Sequence, residues 1–290
     1  MTTTAQWVRG ARPRTLPAAV APVLVGTGAA AAVDGAMWWK AVLALVVAVA
    51  LQVAVNYAND YSDGVRGTDK DRVGPLRLVG SGAATPHAVR SAALGAFGVA
   101  AVAGLVLAVT SAWWLVLVGA AAMAAAWFYT GGRRPYGYRA LGEVSVFVFF
   151  GLVAVLGTTY VQAGRVTGPA FAGAVAVGAL ACAILVANNL RDIPTDRDAG
   201  KRTLAVALGD GGSRRLYATL VGAAFVLATL VGVAVPWALL ALASVPLAVP
   251  PVRRVLAGST GPDLVPVLQD TGRVELAYAV LLGAGLALSA

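Results

Sequence analysis

Long apolar runs, most of them 17–23 residues, alternate along this chain with short polar connections. A helix needs roughly 20 mostly apolar residues to cross a bilayer. Nine runs meet or approach that length, at about 16–33, 38–58, 88–109, 112–130, 141–162, 168–190, 215–233, 235–251 and 274–290. Their abundance of Ala, Gly and Val predicts helices that approach one another closely in lipid. The pattern predicts an all-α polytopic membrane protein: one bundle of nine transmembrane helices, forming a single domain over 1–290.

Composition agrees. Only 12% of residues are charged and mean hydropathy is +0.79, against about 25% charged residues in a soluble domain. Cys182, the only cysteine, sits inside an apolar run, so no internal disulfide is possible. The first residues have no short apolar core followed by a small-residue cleavage site, so no cleaved leader is expected. The net charge of +9 changes the picture through its placement. With nine spans, every Lys and Arg except Lys40 and Arg165 falls on one side. The positive-inside rule makes that side cytoplasmic, with the N-terminus in and the C-terminus out. The basic charge is therefore read as topological, and nucleic acid is not an expected partner. Trp38, Trp39, Trp113 and Trp114 fall at the outer boundaries, as interfacial aromatics do.

Acidic residues are few, and seven of the thirteen fall in two clusters on the basic side. The first follows the second run: Asn56, Asn59, Asp60 and Asp63, then Asp69 and Asp71. The second follows the sixth run: Asn188, Asn189, Arg191, Asp192, Asp196 and Asp198. Carboxylates are costly at a membrane, so such clusters point to function. Asn56, Asn59, Asp60 and Asp63 follow i, i+3, i+4, i+7 and share one face if the helix continues. Asn188, Asp192 and Asp196 also share a face, although Pro194 disfavours an unbroken helix. Like charges that converge need a cation, and oxygen donors suit Mg²⁺, which itself favours phosphate groups. Arg72, Arg77, Lys201 and Arg202 lie close in sequence and suit phosphate oxygens. No zinc pattern and no Ser-His-Asp set is present. His87, the only histidine, starts the third run and is read as structural.

Asn59-Asp60-Tyr61-Ser62-Asp63 with Asp69, and Asp192 to Asp198 followed by Lys201-Arg202-Thr203, resemble the two aspartate-rich motifs of the UbiA superfamily of intramembrane prenyltransferases. Gly74-Pro75-Leu76-Arg77, the Tyr129–Glu143 stretch and the closing Leu264–Leu276 stretch resemble the branch of that family acting on 1,4-dihydroxy-2-naphthoate. Six positions separate Asp63 from Asp69, where many members have four; this fits the naphthoate branch. The resemblance implies nine helices and a Mg²⁺–diphosphate site between the second and sixth. It implies Asp63, Asp69, Asp192 and Asp196 as catalytic residues that hold the metal with Asn59 and Asp198. Asn56, Asn59, Asp60, Arg72, Arg77, Tyr138, Arg139, Asn188 and Lys201 are the expected substrate contacts. Arg77 or Arg139 is the expected partner of an acceptor carboxylate, and Glu143 is expected to orient an Arg or Tyr beside it. Tyr129, Tyr136 and Tyr138 offer ring faces to an allylic cation.

The implied reaction moves a polyprenyl chain from its diphosphate to the naphthoate with loss of CO₂, giving demethylmenaquinone, in the bilayer of the cell membrane. Another aromatic acceptor, such as 4-hydroxybenzoate, remains open. A carboxylate-dependent secondary transporter is the alternative from a different class. Transporters place their carboxylates near the midplane, whereas these stand at helix ends.

Overall fold

A computed structural model describes residues 2–67 and 76–290. Among them the chain is all-helical: α1 (Thr4–Gly10), α2 (Pro17–Ala31), α3 (Trp38–Arg66), α4 (Pro86–Thr110), α5 (Leu115–Phe128), α6 (Gly142–Val146), α7 (Ala154–Ala163), α8 (Gly168–Arg191), α9 (Ile193–Asp198), α10 (Leu204–Ala234), α11 (Val245–Leu256) and α12 (Leu264–Ala287). A π-helical stretch, Phe147–Val153, joins α6 to α7. A 3-10 stretch, Pro236–Ser244, leads into α11. Local chemistry sets the starts: Thr85, Thr167 and Thr203 cap α4, α8 and α10, with Pro86 and Pro169 in first turns, where a missing N–H costs nothing. Gly67 and Gly164, both with positive φ, end α3 and α7.

Each expected membrane segment coincides with a helix, but several boundaries move. Six helical stretches are long and apolar enough to cross a membrane: α3, α4, Gly142–Ala163, α8, α10 and Pro236–Leu256. Helices α2 and α5 are apolar but shorter. Helix α12 carries Asp270, Arg273 and Glu275 in its first half. Helix α3 runs past the expected end at 58 to Arg66 because its polar residues keep helical spacing. Helix α10 starts at Leu204 rather than 215, interrupted at Gly209, whose φ is 70°. Helix α12 starts ten residues before the expected 274, because Leu264, Val267 and Thr271 are buried in the core.

Helix α8 is the most enclosed, packed among α10, α12, α2 and the π-helical stretch. Its wall is mostly Ala and Val, and tight crossings need glycine. A Cβ on Gly28 of α2 would stand 2.2 Å from the Gly283 carbonyl of α12. Such close approach maximises dispersion contact where lipid supplies no hydrophobic drive.

The two ends of the bundle differ. At one end, buried Lys40 donates to the Val161 carbonyl (2.7 Å), the Thr110 carbonyl (3.0 Å) and Ser111 Oγ (2.9 Å). It thereby ties α3 to the C-terminal ends of α4 and α7, where the helix dipoles favour a cation. At the other end, ~35 Å along α3 at 1.5 Å per residue, stand Asp60 and Asp63. The N-terminal segment folds over that second end. Tyr57 donates to the Trp7 carbonyl (2.9 Å) with the rings edge-on, and Thr2 donates to the Ala83 carbonyl (2.6 Å).

Candidate active site

A cavity of about 960 Å³ begins at the acidic end and runs between α2, α3, α5 and the α6–α7 segment. Its polar mouth carries Asn59, Asp63, Arg77, Tyr138, Asp192, Asp196 and Lys201. Deeper walls are apolar, including Val23, Leu51, Leu107, Phe149 and Val153. Phe149 and Val153 belong to the π-helical stretch; π-bulges in helices are frequent at functional sites.

Helix α3 presents the first cluster as its spacing demands. Asn56 donates to the Ala11 carbonyl (2.9 Å) and Thr15 Oγ1 (3.1 Å), holding the N-terminal segment against the cavity. Asn59 Oδ1 accepts from Thr130 Oγ1 (2.7 Å). Asp63 accepts from the Tyr138 hydroxyl (2.5 Å) and from Arg77 Nη2 (3.4 Å). Asp60, expected among the substrate contacts, is used differently. Its two oxygens accept the backbone N–H of Leu78 (2.7 Å) and Val79 (3.0 Å), and it does not line the cavity. One helical position from Asn59, it points to the neighbouring loop.

The second cluster straddles a helix junction. Helix α8 ends at Arg191, and α9 begins at Ile193 with Pro194 in its first turn. Proline is tolerated there, so the Asp196 N–H still reaches the Asp192 carbonyl (2.8 Å) and the two acids stay one turn apart. Both are buried and line the cavity. Asp198, expected among the metal ligands, is exposed at the end of α9 and outside the cavity. Asn188 lines the cavity and accepts from Arg191 Nη2 (2.9 Å).

The Pro135–Arg139 turn bridges the clusters. The Tyr138 hydroxyl meets Asp63, Lys201 Nζ lies 4.7 Å from the centroid of its ring, and its carbonyl accepts from the Arg202 N–H (3.0 Å). Tyr136 donates to the Ala125 carbonyl (2.7 Å) and bonds Ser145 Oγ (2.8 Å). Burial pushes its hydroxyl above the ordinary tyrosine value, and the Ser145 bond opposes that rise. Tyr129 stands edge-on to Tyr136, 5.6 Å between centroids, and lines the cavity. Arg66 donates to the Thr130 and Gly132 carbonyls and so fixes the start of the same loop. Arg139, an expected carboxylate partner, is exposed and does not line the cavity. Asp69 and Arg72 lie outside the described residues.

Several lining residues were not among the expected catalytic, metal or substrate contacts. Arg9, Arg12, Arg14 and Thr15 line the cavity from the N-terminal segment; as sequence they are ordinary basic residues before a span. Arg191 lines it too and donates to both oxygens of Asp192. Asn189 lines it and donates to Glu143 Oε1 (2.9 Å). Glu143 thus orients an asparagine rather than the expected Arg or Tyr.

Among the described residues no three His, Cys, Asp or Glu side chains converge on a point that would hold a metal ion. The donor set nevertheless fits Mg²⁺. Mg²⁺ is usually held by one or two carboxylates plus phosphate oxygens rather than by an all-protein cage. Asp63 on α3, and Asp192 with Asp196 at the α8–α9 junction, supply such carboxylates at one cavity mouth, alongside Arg and Lys side chains suited to phosphate.

A cavity with an oxygen-rich, basic mouth and an apolar depth, inside a membrane bundle, suits an amphiphile with an anionic head. The chain belongs to the UbiA prenyltransferase family, whose model matches residues 19–262. It is 58% identical, over 99% of its length and 98% of the relative's, to the 1,4-dihydroxy-2-naphthoate octaprenyltransferase of Mycobacterium tuberculosis. Its fold matches a UbiA homolog from Aeropyrum pernix K1 with a TM-score of 0.72 and 17% identity, over 93% of this chain and 97% of that one. A UbiA homolog from Archaeoglobus fulgidus bound to GPP and Mg²⁺ matches at 0.69 and 15%, over 98% and 99%.

Proposed function

We propose that this chain is a Mg²⁺-dependent prenyltransferase that moves a polyprenyl group from its diphosphate to 1,4-dihydroxy-2-naphthoate, releasing CO₂ and diphosphate in the step leading to demethylmenaquinone. The single observation that carries the reading is the cavity's division into a carboxylate-and-arginine mouth and an apolar depth. The family and the names of its full-length relatives support the acceptor. The Archaeoglobus protein solved with GPP and Mg²⁺ supports the donor class and the ion.

In this reading the diphosphate sits at the mouth and the tail lies in the apolar depth. Asn59, Asp63, Asp192 and Asp196, with Asp69, would hold Mg²⁺, which would neutralise charge on the leaving diphosphate. Tyr138 fixes the Asp63 carboxylate. Lys201 and Arg77 offer donors to phosphate oxygens, with Arg72 as a further contact. Thr130 fixes Asn59. Tyr129 and Tyr138 present ring faces to the developing allylic cation. Enclosure by α3, α5 and the α6–α7 segment keeps water from that cation. The acceptor ring carbon that bears the carboxylate forms the new bond, and CO₂ leaves.

The topology belongs to the same proposal: one domain over 1–290, nine spans, the N-terminus and the cavity mouth facing the cytoplasm, in the plasma membrane. The arginines clustered around the mouth, against Lys40 at the far end, support that orientation. The test is incubation of membranes carrying the chain with labelled polyprenyl diphosphate, Mg²⁺ and a panel of aromatic acids. Product with dihydroxynaphthoate and none with 4-hydroxybenzoate is expected; the reverse overturns the acceptor assignment.

A further inference from the structure

Arg191 is the last residue of α8 and is 6% exposed, yet it lines the cavity. Its Nε and Nη2 donate in parallel to Oδ1 and Oδ2 of Asp192, each at 2.7 Å, and Nη2 also donates to Asn188 Oδ1 at 2.9 Å. The fork is thereby locked in one orientation. Nη1 keeps two N–H donors that meet no acceptor among the described residues. Guanidinium geometry matches oxyanions in pairs of parallel bonds. A side chain so tightly held, with its spare edge at a cavity mouth, is built for an anion that comes and goes.

We propose that Arg191 binds the diphosphate of the allylic substrate through Nη1 while holding Asp192 through Nε and Nη2; this rests on the prenyl-transfer reading above. The diphosphate is favoured over the acceptor's carboxylate by the company Arg191 keeps. It is anchored to Asp192, one turn from Asp196, at the mouth where Lys201 and Arg77 also stand. An anion drawn to a cation beside those carboxylates meets Arg191 as well. In the reaction the allylic C–O bond breaks and its electron pair passes to the diphosphate oxygen. The acceptor ring supplies the pair for the new C–C bond. Donors already aimed at the leaving group stabilise the charge it gains without reorganising. A second consequence follows for Asp192: its charge is compensated before substrate arrives, so a buried acid is tolerated in the empty site.

The test uses full-length protein purified in detergent. Binding of inorganic diphosphate with Mg²⁺ is measured by calorimetry, and KM values are measured for both substrates. Arg191→Lys keeps the charge beside Asp192, but one ammonium does not replace a fork that serves Asn188, Asp192 and a phosphate oxygen together. Its expected effect is about tenfold or more weaker diphosphate binding, with a matching rise in KM for the allylic diphosphate. KM for the naphthoate should stay within about twofold. Unchanged diphosphate affinity in a folded variant, or a rise confined to the naphthoate KM, overturns the assignment. Arg191→Ala strands Asp192 and is prone to misfold, so Arg191→Gln is the second variant, and its melting temperature is read alongside. If the wild-type protein neither binds diphosphate nor transfers a prenyl group, the functional reading falls and takes this inference with it. If the wild type binds and the variants bind equally well, only the assignment of Arg191 falls.

Discussion

Tyr138→Phe removes one oxygen and tests how the two acidic clusters are held. That oxygen donates to Asp63 at 2.5 Å, while the ring it leaves behind still lies under Lys201. A hydrogen bond to a charged group is worth about 1.5–3 kcal/mol. Asp63 keeps Arg77 Nη2 at 3.4 Å as a weaker partner, so the lower half of that range applies. At about 1.4 kcal/mol per factor of ten, kcat/KM should fall roughly 12- to 40-fold. Because Asp63 is a proposed Mg²⁺ ligand, the loss should come with a higher Mg²⁺ concentration at half-maximal rate. Tyr138→Ala also removes the ring from Lys201, a cation–π contact worth about 0.5–1 kcal/mol, and should lose a further two- to fivefold. The assay is initial rate against Mg²⁺ and allylic diphosphate in detergent micelles, with melting temperature as a folding control. A folded Tyr138→Phe protein with activity and Mg²⁺ dependence within twofold of wild type would refute the role given to this contact.

Asp60→Ala strands the N–H groups of Leu78 and Val79 and should cost about 2–4 kcal/mol of stability; Asp198→Asn, at an exposed position, should leave kcat/KM within about twofold. Thermal unfolding and kinetics separate the two, and equal loss of activity would return Asp198 to the site. Glu275 is fully buried, and neither carboxylate oxygen is hydrogen-bonded among the described residues. Glu275→Leu should therefore raise the melting temperature by a few degrees while keeping activity, because an unpartnered buried acid is a burden on the fold; a lower melting temperature would reveal an unseen partner. Lys40→Met leaves two carbonyls and a hydroxyl without their donor and should cost ~2–4 kcal/mol. Its KM for the diphosphate should not move, since the mouth lies at the other end of α3.

Hydropathy located the apolar helical segments, six of them long and apolar enough to cross a membrane, because apolar length is a direct demand of the bilayer. Boundaries failed where polar residues continue a helix. Asn59, Asp60 and Asp63 extend α3 by two turns, and Gln269, Asp270 and Arg273 sit within α12. Helical spacing placed Asn56, Asn59 and Asp63 on the cavity. It misjudged Asp60, since a shared face does not say which side chain turns to a neighbouring loop. Pro194 looked like a helix breaker; in space it opens a new short helix and preserves the spacing of Asp192 and Asp196. The N-terminal arginines were invisible as site residues because their position depends on long-range bonds from Gln52, Asn56 and Tyr57. Arg191 stood in the second cluster, but its role did not show there, because that role lies in the orientation of a guanidinium toward its own sequence neighbour.

The central claim, decarboxylative prenyl transfer, is tested most directly by following the acceptor's carboxyl carbon. Purified protein is incubated with carboxyl-labelled 1,4-dihydroxy-2-naphthoate, Mg²⁺ and a polyprenyl diphosphate, and labelled CO₂ is counted against prenylated product. One CO₂ per prenyl group transferred, and none when the diphosphate or Mg²⁺ is withheld, is the predicted result. A prenylated product that retains the label, or CO₂ release without any diphosphate, would contradict it.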